Sequence, residues 1–278
     1  MTASSSPPAT PASPPAPAAP VKPATPAPPT APAPPPRSGV IDDQGVVRRE
    51  AVRALRWTSR GRTKVLADVD CGEVNLTGGA VIGGTLTADS VRSDGDLDVG
   101  GAVQVTGSLH SSGSLRTRGP FRVGAADLRG RTRLDGAAHV DRGVTVHGLF
   151  VAPSVQAVEF SLDGVAEIEG ALEAEKVAAH FRGSGRIGRI RAKSVALRLR
   201  PPNPVEVMLG RAVAFPVERI EADTVEVEGV DVRFLRAREI VLGRGAHVTE
   251  LEGHIVRRHG SARVGPESKS PRPYGLTP

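Results

Sequence analysis

Seven histidines, one cysteine and a cluster of aspartates are the side chains of this 278-residue chain best suited to chemistry. A histidine on a loop with an acidic neighbour would serve as a general base. His110, His139, His147, His180, His247, His254 and His259 are spread along the sequence. None lies in a long loop beside an acid that spacing alone specifies. His110 and His147 each follow an apolar residue in a period-two pattern, which turns them toward solvent. Asp94, Asp96 and Asp98 suggest calcium, but the nine-residue calcium repeat is absent, so they are expected at corners and on the surface. Cys71 has no assignable basic partner to make it a nucleophile and is expected as a small core residue. No glycine loop ends in Lys-Ser or Lys-Thr, so no phosphate cradle is expected. The expectation is a chain with no catalytic residue, no metal site and no cofactor.

Charge and composition bound the remaining classes. The formal net charge is +6, from 36 basic and 30 acidic residues, and aromatic residues make up 3% of the chain. Charges of both signs and few stacking rings argue against a nucleic-acid partner. An acidic run from Glu159 to Glu175 is followed by a basic run from Arg182 to Arg200 and a second acidic run from Glu218 to Asp231. Each run is about one structural repeat long, so opposite charges are expected to stack and fix register. Lateral filament pairing or an anionic-lipid patch are the sharper readings of the same runs, and a membrane surface stays a weak candidate partner. One cysteine excludes an intrachain disulfide, which suits a reducing compartment. The sequence lacks both a run of about 18 apolar residues and a basic-then-apolar secretory leader. The expected address is therefore the cytoplasm, with membrane association as an option.

The framework that would carry these residues is visible in one stretch. Leu97, Val103, Leu109, Leu115 and Phe121 recur every six residues, with Gly101, Gly107, Gly113 and Gly119 two residues before the later four. Apolar partners at i+2, such as Leu97/Val99 and Val103/Val105, give the period of a strand. Three such steps make a coil of about 18 residues, with glycine at the corners. Further on, the dyads Ile220/Ala222, Val225/Val227, Val230/Val232, Leu235/Ala237 and Ile240/Leu242 recur every five residues. Inward dyads and outward charges describe a solenoid of short strands. The expected fold is all-β, a parallel β-helix of about 11 coils. Its candidate core ladder is Leu97, Val103, Leu109, Leu115, Phe121, Val225, Val230, Leu235 and Ile240.

The expected segments follow from composition. Residues 1–37 form a disordered Pro/Ala-rich tail; the first 36 hold 15 of the 25 prolines and one charge, Lys22. Such a segment offers little apolar area to offset chain entropy. Its end, PAPPPR (Pro32–Arg37), has the form that aromatic grooves recognise and is a candidate docking arm for partner proteins. Residues 38–64 are expected as a basic lead-in, 65–199 as the first β-helix segment, and 200–217 as a Pro-rich loop or joint. Residues 218–256 are the C-terminal β-helix segment and 257–278 a disordered basic tail.

A rod of coils exposes unpaired backbone and open core at both ends unless these are capped. No capping helix is apparent, and the strand pattern continues almost to Arg257. Val248 and Leu251 are the candidate polymer-end contacts. Short Gly-punctuated strands with Pro-rich flanks, together with the segment IEADTVEVEGVDVRFLRAREIVLGRGAHV, resemble the bactofilins, bacterial polymer-forming cytoskeletal proteins. The resemblance covers about Val65 to Leu251. It implies a right-handed β-helix, nucleotide-independent homopolymerisation, and scaffolding of envelope or cell-shape machinery, with partner proteins reached through the tail. The six-residue step also resembles hexapeptide-repeat acyltransferases, which imply a left-handed β-helix, trimers and acyl-donor turnover. An exported β-helix adhesin or sugar-binding protein is a third class.

Overall fold

The computed structural model describes residues 37–200 and 215–265. Among them are seventeen β-strands and no helix. In chain order they are β1 (Val40–Arg49), β2 (Val52–Val65), β3 (Val69–Ile82), β4 (Leu86–Val99), β5 (Val103–Thr117), β6 (Phe121–Leu134), β7 (Ala138–Val140), β8 (Gly143–Ala152) and β9 (Val155–Gln156). There follow β10 (Glu159–Glu173), β11 (Lys176–Phe181), β12 (Arg186–Arg191), β13 (Ser194–Leu199), β14 (Pro216–Glu228), β15 (Asp231–Leu242), β16 (His247–Arg258) and β17 (Arg263–Val264). Every pairing is parallel and joins the strands in one sheet. The described residues form a parallel β-solenoid of about 12 turns.

The coil length explains the spacing in the sequence. Val52, Val69, Leu86 and Val103 occupy one position on successive coils. Inward residues along the coil that starts at Val69 step by five, six and six, through Val74 and Ala80 to Leu86. The even sixes from Leu97 to Phe121 arise because β5 holds one extra residue. Register shifts between Ala88 and Val91, and shifts back between Val105 and Ser108. Leu97 therefore stacks on Leu115 and Val103 on Phe121, each one coil further on. In the C-terminal coils Ile220 stacks on Leu235 and Val225 on Ile240, so that three steps of five complete a coil.

All nine candidate ladder residues are buried. They do not form one file. Leu97 and Leu115 share a column, Val103 and Phe121 a second, and Leu109 lies in a third between Val91 and Ala126. That third column runs without a break from Ile41 through Trp57, Val74, Phe160 and Ile240 to Ile255. Burying each such side chain stabilises the fold by roughly 1.5–3 kcal/mol. Rings fill the wider places: Phe150 meets Phe160 edge-on with centroids 5.9 Å apart, and Phe181 stacks on Phe215.

One corner is made of glycine alone. Gly45, Gly61, Gly78, Gly95, Gly113, Gly130, Gly148 and Gly164 stack directly, and all have positive φ. At Gly113, φ is 133° and a Cβ would stand 2.4 Å from the carbonyl oxygen of Gly95. Any larger residue there would have to push adjacent coils apart.

Three expected boundaries change. Residues 38–64 are not a lead-in: they hold β1 and β2, paired to each other and to β3. Their alternation is hidden because the inward positions include Asp43, Arg49, Ser59 and Thr63. The C-terminal strands likewise continue past residue 256, to Arg258 and then β17. Between 200 and 217, Phe215 is buried and Pro216 opens β14, the first-residue position where a missing N–H is tolerated. Ile187 pairs with Val217 and Val195 with Val225, so the ladder passes directly from one segment to the other. Pro201, Pro202 and Pro204 lie outside the described residues.

The charge runs meet across coils. Arg182 pairs with Asp163. Lys193 reaches Glu175 at 2.8 Å, Arg191 reaches Glu221 at 3.0 Å, and Arg198 reaches Glu226 at 2.9 Å. These pairs are largely exposed, and each contributes about 0–1 kcal/mol. They favour one register over its neighbours, while the core supplies the stability.

Candidate functional site

The histidines and the Asp94–Asp98 aspartates are dispersed over the outside of the solenoid, and Cys71 lies inside it. His110 Nδ1 lies 3.1 Å from Asp127 Oδ2 on the next coil, a pairing set by the stacking register. Ser112 donates to Asp94 on the preceding coil at 2.9 Å. Burial works to raise the Asp127 pKa, but Arg129 and His110 together hold its carboxyl below the usual range. The Asp94 carboxyl is held low by Arg92 and Ser112. Each carboxylate is thus engaged in a coil-to-coil pair. His139 makes the same kind of contact, to Gln156 at 3.0 Å. Cys71 is fully buried between Ala54 and Ala88, and burial pushes its thiol up to about 11. No group of three or more metal-ligating side chains occurs among the described residues. No helix among them is long and apolar enough to cross a membrane.

The ends of the solenoid have more to offer. β1 pairs only with β2 among the described residues, so its other edge carries unpartnered N–H and C=O groups. At the opposite end, β17 covers only His247 and Val248 of β16. The remaining edge of β16 is open among the described residues. Val40 at 69% and Val46 at 87% are exposed on β1, and Val256 at 57% and Val264 at 39% near the other end; Leu55, Leu66, Val81 and Val158 are exposed elsewhere on the solenoid.

The two ends differ in chemistry. At the N-terminal end, Asp43 points inward and is 4% exposed. Arg49 donates to it from both Nε, at 2.9 Å, and Nη2, at 2.5 Å, and Trp57 Nε1 donates at 3.0 Å. The Arg49 guanidinium, with help from Trp57, holds the Asp43 carboxyl below its ordinary value against the opposing effect of burial. Beneath it, Ser59 and Thr63 hydrogen-bond to each other inside the second coil. An inward charge at a terminal strand blunts non-specific edge pairing. The C-terminal end is less closed and carries both signs, with Glu250, Glu252, Arg257 and Arg258 exposed on β16.

The candidate end contacts fall on different sides of this boundary. Val248 is fully buried beneath Val264, so it is a core residue rather than an end residue. Leu251 is half-buried in the last full coil, packed against the core from its edge. Sequence reasoning missed Asp43, Arg49, Val40 and Val46 as end residues, because they fall in the stretch assigned to a lead-in.

No protein-family model, curated protein or solved structure matches the chain. Its function is therefore argued from its own geometry.

Proposed function

We propose that the chain is a non-enzymatic scaffold that assembles by stacking solenoids end to end into filaments. Opposed ends would complete each other's backbone ladders and bury the exposed valines of the terminal strands. An end contact that does not close on itself generates a filament rather than a ring. The observation that carries this reading is the pair of unpartnered terminal strand edges, with Val40 and Val46 exposed at one and Val256 and Val264 at the other.

The resemblance to bactofilins supports the same reading. It adds a cytoplasmic location on the inner face of the envelope, a right-handed helix, and recruitment of cell-shape proteins through the Pro-rich tail. Nucleotide plays no part, since ladder completion and apolar burial suffice.

Sedimentation tests the proposal. The full chain at concentrations well above micromolar, without nucleotide, should pellet in a high-speed spin. Recovery of all the protein as a monomeric species in the supernatant would contradict it.

A further inference from the structure

Charge bands of alternating sign run along the glycine corner. They read RGRTKV on β2 (residues 60–65), DGDLDV on β4 (94–99), RGRTRL on β6 (129–134) and DGVAEI on β10 (163–168). Each band holds one member of the all-glycine column, and its charges take the same outward positions on every second coil. Arg62, Asp96 and Arg131 thus share one column, and Lys64, Asp98, Arg133 and Glu167 another. The coils between, on β3, β5 and β8, place one fixed charge at these positions, Arg116, which turns to Asp135 at 3.6 Å. Arg62, Lys64, Asp96, Arg131 and Glu167 are exposed and have no ion-pair partner among the described residues. Successive bands lie roughly 9.6 Å apart, about one Debye length at 0.1 M salt, so they attract each other only weakly within the chain.

We infer that two copies of the chain pair side by side and antiparallel through this corner, with the two-fold axis crossing β5. Such a contact sets the β4 band of each copy on the β6 band of the other, and the β2 band on the β10 band. All four bands then meet opposite charge. Parallel copies in register would set each band on its own like, which is repulsive. Parallel copies staggered by two coils would match three bands and leave one bare on each copy. The partner is therefore a second copy of this chain, chosen by charge complementarity. Arg48 and Arg186, one coil beyond the bands, meet with like sign at the rim, where salt screens them. The pairing uses no end residue and stands apart from the end-to-end assembly proposed above. Filaments without side-by-side dimers would overturn this inference alone, and dimers without filaments would contradict only that assembly.

Thiol cross-linking of the full chain tests the pairing. Ser114, on β5 in the Arg62 column, would face its own counterpart across the axis, whereas Gly79 on β3 would face Leu149 on β8. The buried Cys71 gives a silent background. With a bismaleimide whose arm spans about 10 Å, the spacing of packed sheets, Ser114→Cys should give a covalent dimer at low salt. Salt at about 1 M should abolish most of it. Gly79→Cys should stay monomeric. Absence of the Ser114→Cys dimer, or equal dimers from both variants, would overturn the inference. In analytical ultracentrifugation Asp96→Arg should weaken dimerisation about tenfold. Adding Arg131→Asp should restore it, because these two exposed residues meet twice in the dimer. A double variant no tighter than Asp96→Arg alone would also overturn the inference.

Discussion

Trp57 donates its indole N–H to Asp43 across 3.0 Å, inside the first two coils of the solenoid. The bond ties the largest ring of the core to the one carboxylate buried among the described residues, and Arg49 completes the pair. The arrangement closes the N-terminal end with a charge that is satisfied from within.

That closure has a pH signature. The Asp43 pKa is lowered in the folded chain. The stabilisation is therefore fully present above the ordinary carboxylate range and is lost as pH falls through the lowered value. Thermal unfolding should show the first coils weakening below about pH 4. Asp43→Asn should lower stability at neutral pH by about 1–3 kcal/mol and flatten that acid dependence.

The glycine corner sets a sharp contrast between neighbours. Gly113→Ala forces a Cβ against the Gly95 carbonyl at positive φ and should cost at least about 2–3 kcal/mol. At Gly79 a Cβ meets nothing closer than Arg62 Cγ at 3.8 Å. Gly79→Ala should be neutral or stabilising by a few tenths of a kcal/mol. Denaturant unfolding of the two variants separates the outcomes.

Core and surface should differ equally clearly. Leu115→Ala leaves a cavity between Leu97 and Thr132 and should cost about 2–5 kcal/mol. Arg191→Ala removes exposed pairs to Glu221 and Glu173 and should cost less than about 1 kcal/mol, with the difference shrinking in salt. Chemical denaturation at low and high ionic strength reads both.

The C-terminal end offers a test that separates folding from assembly. Leu251→Asp sits at the open edge of the last full coil and should block filament growth while circular dichroism keeps its strand signal. Val248→Asp buries a charge under Val264 and should unfold the terminal coil as well.

Much of the solenoid was legible in the sequence where inward positions are aliphatic. The steps of six from Leu97 to Phe121 and of five from Ile220 to Ile240 report strands and corners directly. The first coils were not legible, because one inward column reads Asp43, Ser59, Leu76, Ser93, Ser111. Polar residues there break the alternation that marks a strand, and the Ser93 and Ser111 hydroxyls have no hydrogen-bond partner among the described residues. Glycine was expected at the corners, but of Gly101, Gly107, Gly113 and Gly119 only Gly113 belongs to the all-glycine column. Its members recur only once per coil, and nothing short of comparing the chain with itself at that offset reveals them.

Negative-stain electron microscopy of the full chain, without nucleotide, tests the central claim most directly. Unbranched filaments a few nanometres wide, present at concentrations well above micromolar and lost in Leu251→Asp, are the predicted result. Discrete particles of single-solenoid size under the same conditions would contradict end-to-end assembly.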